Sequence, residues 1–162
     1  LSSSSAASDV YKRQAFMSGS KIISVRGDST CVDAAAATAT AERLITSDGV
    51  SAIMGADCSG VTTAVLQNVA LAKGVVMISP SATSPALSTI EDNGLFFRTS
   101  PSDARQGQVL AEILKEKGVK SAAISYTNND YGKGLADSIQ NNFENLGGKV
   151  TITASHLSLI HI

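Results

Sequence analysis

The sequence contains little of what marks several classes of protein. Tryptophan is absent and aromatic residues make up only 4% of the 162 positions, which argues against a platform for stacking nucleic-acid bases. A formal net charge of −1 provides no basic surface for nucleic acid or for an anionic membrane. No apolar run approaches the roughly 18–20 residues that cross a bilayer. With 43% hydrophobic and 17% charged residues, the composition is that of a soluble globular protein.

Residues for metal, cofactor and catalytic chemistry are also scarce. Two cysteines are too few for a disulfide scaffold or a four-ligand zinc site. No Gly-x-Gly-x-x-Gly run follows a predicted strand, which disfavours a dinucleotide cofactor. From the cysteine count and this missing motif together, we expect neither a metal nor a dinucleotide cofactor. The only histidines are His156 and His161, at the C-terminal end, which leaves the rest of the chain without a histidine as general base.

The two ends differ in composition from the rest of the chain. Residues 1–14 (LSSSSAASDVYKRQ) have no apolar period, and residues 156–162 (HLSLIHI) form an apolar tail without a partner element. The first segment is not a signal peptide, because no apolar stretch of about 7–15 residues follows a basic start. Both ends resemble translated sequencing-adaptor remnants; the alternative is that they are genuine but disordered termini.

Between these ends, short apolar segments alternate with amphipathic ones. The pattern predicts an α/β fold in which helical, right-handed crossovers join parallel strands. Because the strands are continuously apolar, we expect a sheet that is covered on both faces. Strands are predicted at 21–26, 51–54, 75–78, 95–99, 121–126 and from 150, and helices over 32–47, 59–73, 104–117 and 131–146, with a short helix starting at Pro85.

The stretch from Ser51 to Leu66 combines a buried strand with the start of a helix. Glycines bound the apolar strand on both sides, and Ser59 falls at the predicted N-cap of the helix. There its hydroxyl and the unpaired N–H groups of the first turn point at one spot, which suits a small anion such as a carboxylate. The alternative is that Ser59 only caps its own helix.

Polar residues collect where three predicted strands end, at residues 58–60, 79–83 and 127–131. Ligands of open parallel sheets bind beyond the carboxyl ends of the strands. The side chains offered there are three hydroxyls and one aromatic ring that carries a hydroxyl: Ser59, Ser81, Thr83 and Tyr131. These groups predict that a small polar molecule is bound by hydrogen bonds.

An enzyme is the alternative at the same loop. Cys58 and Ser59 lie between a strand and a helix, as in a nucleophile elbow, but that elbow requires a glycine two residues before and two residues after the nucleophile. Ser59 has Asp57 and Val61 at those positions. Because no histidine is near either, we expect that the protein is not an enzyme.

Four motifs follow one another along the chain: Gly55-Ala-Asp-Cys-Ser-Gly-Val-Thr62, Ile78-Ser-Pro-Ser-Ala-Thr-Ser-Pro85, Phe97-Arg-Thr-Ser-Pro101 and Asp130-Tyr-Gly-Lys-Gly-Leu135. In this order and spacing they resemble the leucine/isoleucine/valine-binding family, the type I periplasmic binding proteins of ABC importers for branched-chain amino acids. The resemblance covers residues 21–153. It implies Rossmann-like lobes with parallel sheets that close on an amino acid.

The resemblance also implies roles for single residues. Ser59 resembles the family's carboxylate-binding serine, and Ser81 resembles the residue whose backbone carbonyl receives the ligand's ammonium group. Ala82 follows it in the pocket, and Thr83 resembles the residue that holds both ends of the amino-acid moiety. Tyr131 resembles the contact from the second lobe. The family's acidic residue for the ammonium group is expected beyond the end of this chain.

Cys31 and Cys58 match a disulfide of the family. If they pair, the bond would anchor the segment before Ser59 and imply an oxidising compartment. The alternative is two buried, reduced thiols.

For the whole chain, the resemblance implies a fragment that is truncated at both ends. Residues 15–99 would form lobe 1 without its first strand and helix, 100–103 a hinge crossing, and 104–155 the start of lobe 2. Residues 1–14 and 156–162 would be the foreign ends.

The resemblance further implies a function. The protein would be the periplasmic solute-binding component of an ABC importer, would bind a small amino acid, and would dock on a membrane permease; this fragment contains no signal peptide. The alternative is the ligand-sensing domain of a receptor or an amide-responsive regulator with the same fold.

Overall fold

A computed structural model describes residues 22–157 of the chain. The strands are β1 (Ala52–Met54), β2 (Val76–Ser79), β3 (Phe96–Arg98), β4 (Ser121–Thr127) and β5 (Lys149–His156), and the helices are α1 (Ala34–Thr46), α2 (Ser59–Val65), α3 (Asp103–Glu116) and α4 (Asp130–Asn145). The strands form two parallel β-sheets, of which the first has the order β1-β2-β3 and the second pairs β4 with β5. The parallel α/β prediction is confirmed.

Helix α2 is longer than its α-helical part. It continues through a π-helical segment (Leu66–Ala70) and ends with one more α-turn (Leu71–Lys73). Gly74 then adopts a left-handed conformation with a φ of 66°, which ends the helix because only glycine adopts that conformation without a steric cost. A short 3-10 helix (Pro85–Ser88) follows β2, with Pro85 at its first position as predicted.

The first sheet is covered on one face. Met77 and Phe96 are buried in a core formed with α1 and α2. The next residues along the same strands face the other way, so that Met54, Ile78 and Phe97 form one row across the sheet and remain 61%, 39% and 54% exposed. Within residues 22–157, the expectation of a sheet covered on both faces is therefore not met, because both helices pack on the same side.

The segment 22–26 is not a strand, in contrast to the prediction for 21–26. Ile22, Ile23 and Val25 are exposed, although their apolar pattern is typical of a strand. A strand is stabilised by its neighbours, and no strand of the described part pairs with this segment. Lys21 lies outside the described residues.

The second sheet packs against α4, and α4 packs closely against α3. Gly107 marks the point where the two helices approach each other, since a Cβ atom built there would lie 2.7 Å from the backbone carbonyl carbon of Ser138. Only a glycine at position 107 allows the helices to come this close. Phe143, on α4, is the largest buried side chain of this region.

Strand β5 begins one residue before the predicted position 150 and pairs His156 with Thr127. His156 is also the first residue of the predicted adaptor-derived tail. Residues 158–162 and the N-terminal segment 1–14 lie outside the described range, so both predictions of foreign ends remain predictions. In the part of the chain that the structure covers, no helix is both long and apolar enough to cross a membrane.

Candidate functional site

The start of α2 lies at the carboxyl edge of the first sheet. The helix begins at Ser59 and Cys58 occupies the N-cap without a side-chain capping bond, so the prediction of Ser59 as the N-cap is wrong by one residue. Ser59 is only 2% exposed. Its Oγ accepts a hydrogen bond from the backbone N–H of Ser84 at 3.1 Å, and its side chain therefore faces the loop after β2.

The loop after β2 is bound to the loop after β1 by two further serines. The buried Ser79 Oγ donates to the carbonyl of Ala56 at 2.6 Å and accepts from the N–H of Ala82 at 3.1 Å. The exposed Ser81 Oγ donates to the carbonyl of Asp57 at 2.9 Å. These bonds hold the two polar loops side by side, as expected for loops at the ends of neighbouring parallel strands.

Thr83 is held by Asp103, the first residue of α3. Its Oγ1 donates to Asp103 Oδ2 at 2.8 Å, and the backbone N–H of Asp103 donates to the carbonyl of Thr83 at 2.9 Å. Ser102 caps the helix by accepting from the N–H of Ala104. Asp103 is 3% exposed, and burial raises the pKa of its carboxyl, against the opposing effects of the hydrogen bond from Thr83 and the charge of Arg98.

Arg98, at the end of β3, holds the residues on either side of Thr83. Its Nη1 donates to the carbonyl of Ala82 at 3.1 Å and to the carbonyl of Ser84 at 2.8 Å. Burial lowers the pKa of Arg98, and the charge of Asp103 opposes this shift. The sequence analysis assigned no role to either charged residue, because only the fold brings Arg98 and Asp103 beside the loop after β2.

Tyr131 lies on α4, whose N-terminus faces these loops. A Cβ atom built on Gly60 would lie 3.5 Å from Asp130 Oδ2, and one built on Gly134 would lie 2.9 Å from Pro85 Cδ. The first turns of α4 therefore pack directly on α2 and on the loop after β2. Tyr131 itself is 43% exposed, which leaves its ring accessible.

The structure thus brings the predicted residues to one region in two groups. The first group lies at the carboxyl edge of the first sheet and consists of Ser59, Ser81, Ala82 and Thr83. The second group is Tyr131, on the helix α4 that faces this edge. Ala82 is fully buried, and its carbonyl is already occupied by Arg98.

A disulfide joins Cys31 to Cys58, with a Cα–Cα distance of 5.4 Å. The pairing implied by the resemblance is confirmed. The bond ties the segment before α1 to the residue that precedes Ser59.

The groups available at this edge are hydrogen-bonding ones. The N–H groups of Ser59, Gly60 and Val61 have no acceptor within residues 22–157, as is normal for a first helical turn. No cluster of three potential metal ligands occurs among the described residues. An open cavity of about 520 Å³ adjoins Thr83 along α3, whereas a groove of about 510 Å³ between α1 and the π-helical segment lies away from these loops.

Comparison with known proteins identifies relatives along most of the chain. Residues 2–156 match the family model described as the receptor family ligand binding region. The Leu/Ile/Val-binding protein of Citrobacter freundii is 34% identical over 133 residues, which are 82% of this chain and 35% of that protein. The chain spans about a third of the length of the curated relatives that it matches.

Solved structures share the fold. The substrate-binding protein of an ABC transporter from Desulfitobacterium hafniense, in complex with Leu, matches with a TM-score of 0.76 and 27% identity, over 95% of this chain and 45% of that one. A branched-chain amino acid transporter substrate-binding protein from Streptococcus pneumoniae, in complex with isoleucine, matches with a TM-score of 0.78 and 29% identity, over 94% and 42%. From the family model, the relatives and the fold together, the chain belongs to the leucine/isoleucine/valine-binding family of type I periplasmic binding proteins.

Proposed function

We propose that the protein that carries this chain is the solute-binding component of an ABC importer and binds a small amino acid between two lobes. The observation that carries the proposal is the contact between the start of α2 and the hydroxyl-rich loop after β2, made by Ser59 and Ser84. Relatives whose structures hold Leu and isoleucine support an amino acid as the ligand.

The carboxylate of the ligand would bind at the first turn of α2. The unpaired N–H groups there favour an anion through hydrogen bonds and through the helix dipole. Ser59 Oγ accepts from Ser84, so its own hydroxyl proton remains for donation to a carboxylate, because a hydroxyl can donate once and accept twice.

The ammonium group of the ligand would bind beside the loop after β2. The acceptors that we assign to it are the backbone carbonyl of Ser81 and the hydroxyl oxygen of Thr83, the residue that would hold both ends of the amino-acid moiety. Ala82 would line the pocket next to Ser81, and Tyr131 would cover the ligand from the opposite side.

The two sheets would belong to two lobes. Residues 15–99 would form lobe 1, 100–103 a hinge crossing, and 104–155 the start of lobe 2. The separation of β1-β2-β3 from β4-β5 supports this division. Hinge closure would bring Tyr131 over a ligand that first binds lobe 1, and the closed form would dock on a membrane permease.

The proposed protein returns its ligand unchanged and is not an enzyme. Its location would be extracytoplasmic. The Cys31–Cys58 disulfide supports this location, because disulfides persist in oxidising compartments and are rare in the cytosol.

A thermal-shift panel on the complete protein that carries this chain tests the proposal. Amino acids, sugars and aromatic acids are compared, and a small amino acid is expected to stabilise the protein by about 2.7 kcal/mol at a concentration of about 100 Kd. The proposal is wrong if a different solute class raises the melting temperature and no amino acid does.

The ligand-sensing domain of a receptor or regulator is a second candidate. The description of the matching family model, a receptor family ligand binding region, favours it. Uptake of a labelled amino acid that depends on this protein and on a permease would support the importer, whereas ligand-dependent signalling without uptake would support the sensor.

A further inference from the structure

Thr83 and Asp103 are joined by a reciprocal pair of hydrogen bonds. The Thr83 hydroxyl donates to Asp103 Oδ2 at 2.8 Å, and the Asp103 N–H donates to the Thr83 carbonyl at 2.9 Å. Thr83 lies on the loop after β2, and Asp103 is the first residue of α3. The two contacts therefore fix both the backbone and the side chain of Thr83 from one neighbour.

The direction of the side-chain bond follows from chemistry. An ionised carboxylate can only accept hydrogen bonds, and a hydroxyl has one proton to donate. Once Thr83 donates to Asp103, its oxygen presents only lone pairs to any other partner. Thr83 Oγ1 can then accept a hydrogen bond from a ligand, but it cannot donate one.

The negative charge of Asp103 also favours a ligand group that donates a hydrogen bond to Thr83 Oγ1. The carboxylate oxygen Oδ2 of Asp103 lies 2.8 Å from Thr83 Oγ1. Because Asp103 is only 3% exposed, solvent screens its charge less than a surface charge. The charge of Arg98 acts on Asp103, but the Nη1 atom of Arg98 donates to the carbonyls of Ala82 and Ser84. No ion pair in the described part of the chain joins Arg98 to Asp103, which leaves the carboxylate without a direct positive partner.

We propose that Asp103 is a positioning residue that fixes the Thr83 hydroxyl as an acceptor and thereby selects ligands that present an ammonium group. The proposal rests on the proposed function, in which Thr83 contacts the ligand. Asp103 acts through Thr83 and does not touch the ligand itself. It provides negative charge on lobe 1 in addition to whatever acidic group the rest of the site contains.

The test compares two ligands of the same shape on the complete protein that carries this chain. Leucine presents an ammonium group, and 2-hydroxy-4-methylpentanoate presents a neutral hydroxyl at the same position. Asp103→Asn keeps the size of the side chain and an oxygen that accepts from Thr83, but removes the charge. Titration calorimetry is expected to show that it weakens leucine about tenfold more than the hydroxy acid, as for the loss of a charge-assisted interaction.

Asp137→Asn is the matched control, because Asp137 is an exposed partner of Lys133 and the change removes the same charge away from the loops. This control should leave the ratio of the two affinities unchanged. If Asp103→Asn weakens both ligands equally while wild type prefers leucine, Asp103 is only structural and the inference is overturned. Wild-type protein that binds no amino acid contradicts the proposed function and, with it, this inference.

A second variant covers the case in which Asp103→Asn does not fold. Thr83→Val removes the hydroxyl that connects Asp103 to the ligand and keeps the shape of the side chain, whereas Thr83→Ser keeps the hydroxyl. We expect the preference for leucine over the hydroxy acid to fall about tenfold in Thr83→Val and to persist in Thr83→Ser. An equal loss of both ligands in Thr83→Val overturns the inference.

Discussion

Ser59 Oγ accepts a hydrogen bond from the backbone N–H of Ser84 at a distance of 3.1 Å. Ser59 is the first residue of α2 and Ser84 lies in the loop after β2, and both are buried. The serine at the start of α2 therefore has a structural role besides any role in ligand binding. It holds the loop that carries Thr83 against the helix whose N–H groups face the site.

Replacing Ser59 should affect both roles. Ser59→Ala removes the acceptor of a buried N–H, so we expect the free energy of unfolding to fall by about 1–3 kcal/mol without any ligand. Affinity for carboxylate ligands should fall by a similar amount, about 1–3 kcal/mol, if a charge-assisted bond is lost. Urea unfolding and calorimetry measure the two effects separately. Ser51→Ala, at an exposed position, is the control, and equal stability of the two variants would refute the structural role.

Gly134 allows α4 to approach the loop after β2. A Cβ atom there would lie 2.9 Å from Pro85 Cδ and 3.1 Å from Ser84 Oγ, so Gly134→Ala should hold the two regions apart and raise the Kd for an amino acid about tenfold. Calorimetry measures the affinity. Lys133→Ala, at the neighbouring exposed position, should bind as wild type does; an unchanged Kd in Gly134→Ala would contradict the close approach.

The disulfide should contribute substantially to stability. Cys31 and Cys58 are separated by 27 positions, and closing a loop of this length adds about 3–4 kcal/mol in the chain-entropy model. Urea unfolding with and without a thiol reductant measures the difference. The double variant Cys31→Ser with Cys58→Ser should be as unstable as the reduced protein and insensitive to reductant. A reduced wild type as stable as the oxidised one would show that the chain-entropy estimate does not apply.

Gly107 should not tolerate a side chain. Its position against the backbone of Ser138, at 2.7 Å for a built Cβ, means that Gly107→Ala separates α3 from α4. We expect a loss of about 1–3 kcal/mol from overpacking, although alanine is the better helix former. The urea midpoint measures this loss. Gln108→Ala on the exposed side of the same helix should be close to wild type, and a stabilised Gly107→Ala would mean that the helices can move apart freely.

Asp103 should make stability depend on pH. Burial raises its pKa above the ordinary aspartate value of 3.8, so between these two values the folded protein binds more protons than the unfolded chain. The contribution of Asp103 is then greatest below the ordinary value and is lost as the pH rises through the raised pKa. Asp103→Asn removes this ionisation.

The difference in unfolding free energy, variant minus wild type, should therefore grow as the pH rises through that window and become constant above it. Urea unfolding from about pH 3.5 to about pH 7 spans the range. A difference that stays flat or shrinks with pH would show that the carboxyl pKa is not raised.

The secondary structure could be predicted where the signals are local. Gly74 ends α2 where predicted, and Pro85 starts the 3-10 helix. The prediction for 21–26 was wrong, because an apolar alternation becomes a strand only beside a partner. The π-helical segment 66–70 had no signal in the sequence pattern.

The sequence by itself determined the alternation of strands and helices, the placement of hydroxyl-bearing residues after the strands, and the motifs that carry the family resemblance. These features depend on side-chain periodicity and on residues close together in the chain. Only the tertiary structure decided that Ser84 binds Ser59 and that Arg98 and Asp103 hold the loop of Thr83. Those contacts join residues 14 to 25 positions apart, and which polar groups meet over such distances depends on how the sheet and the helices pack.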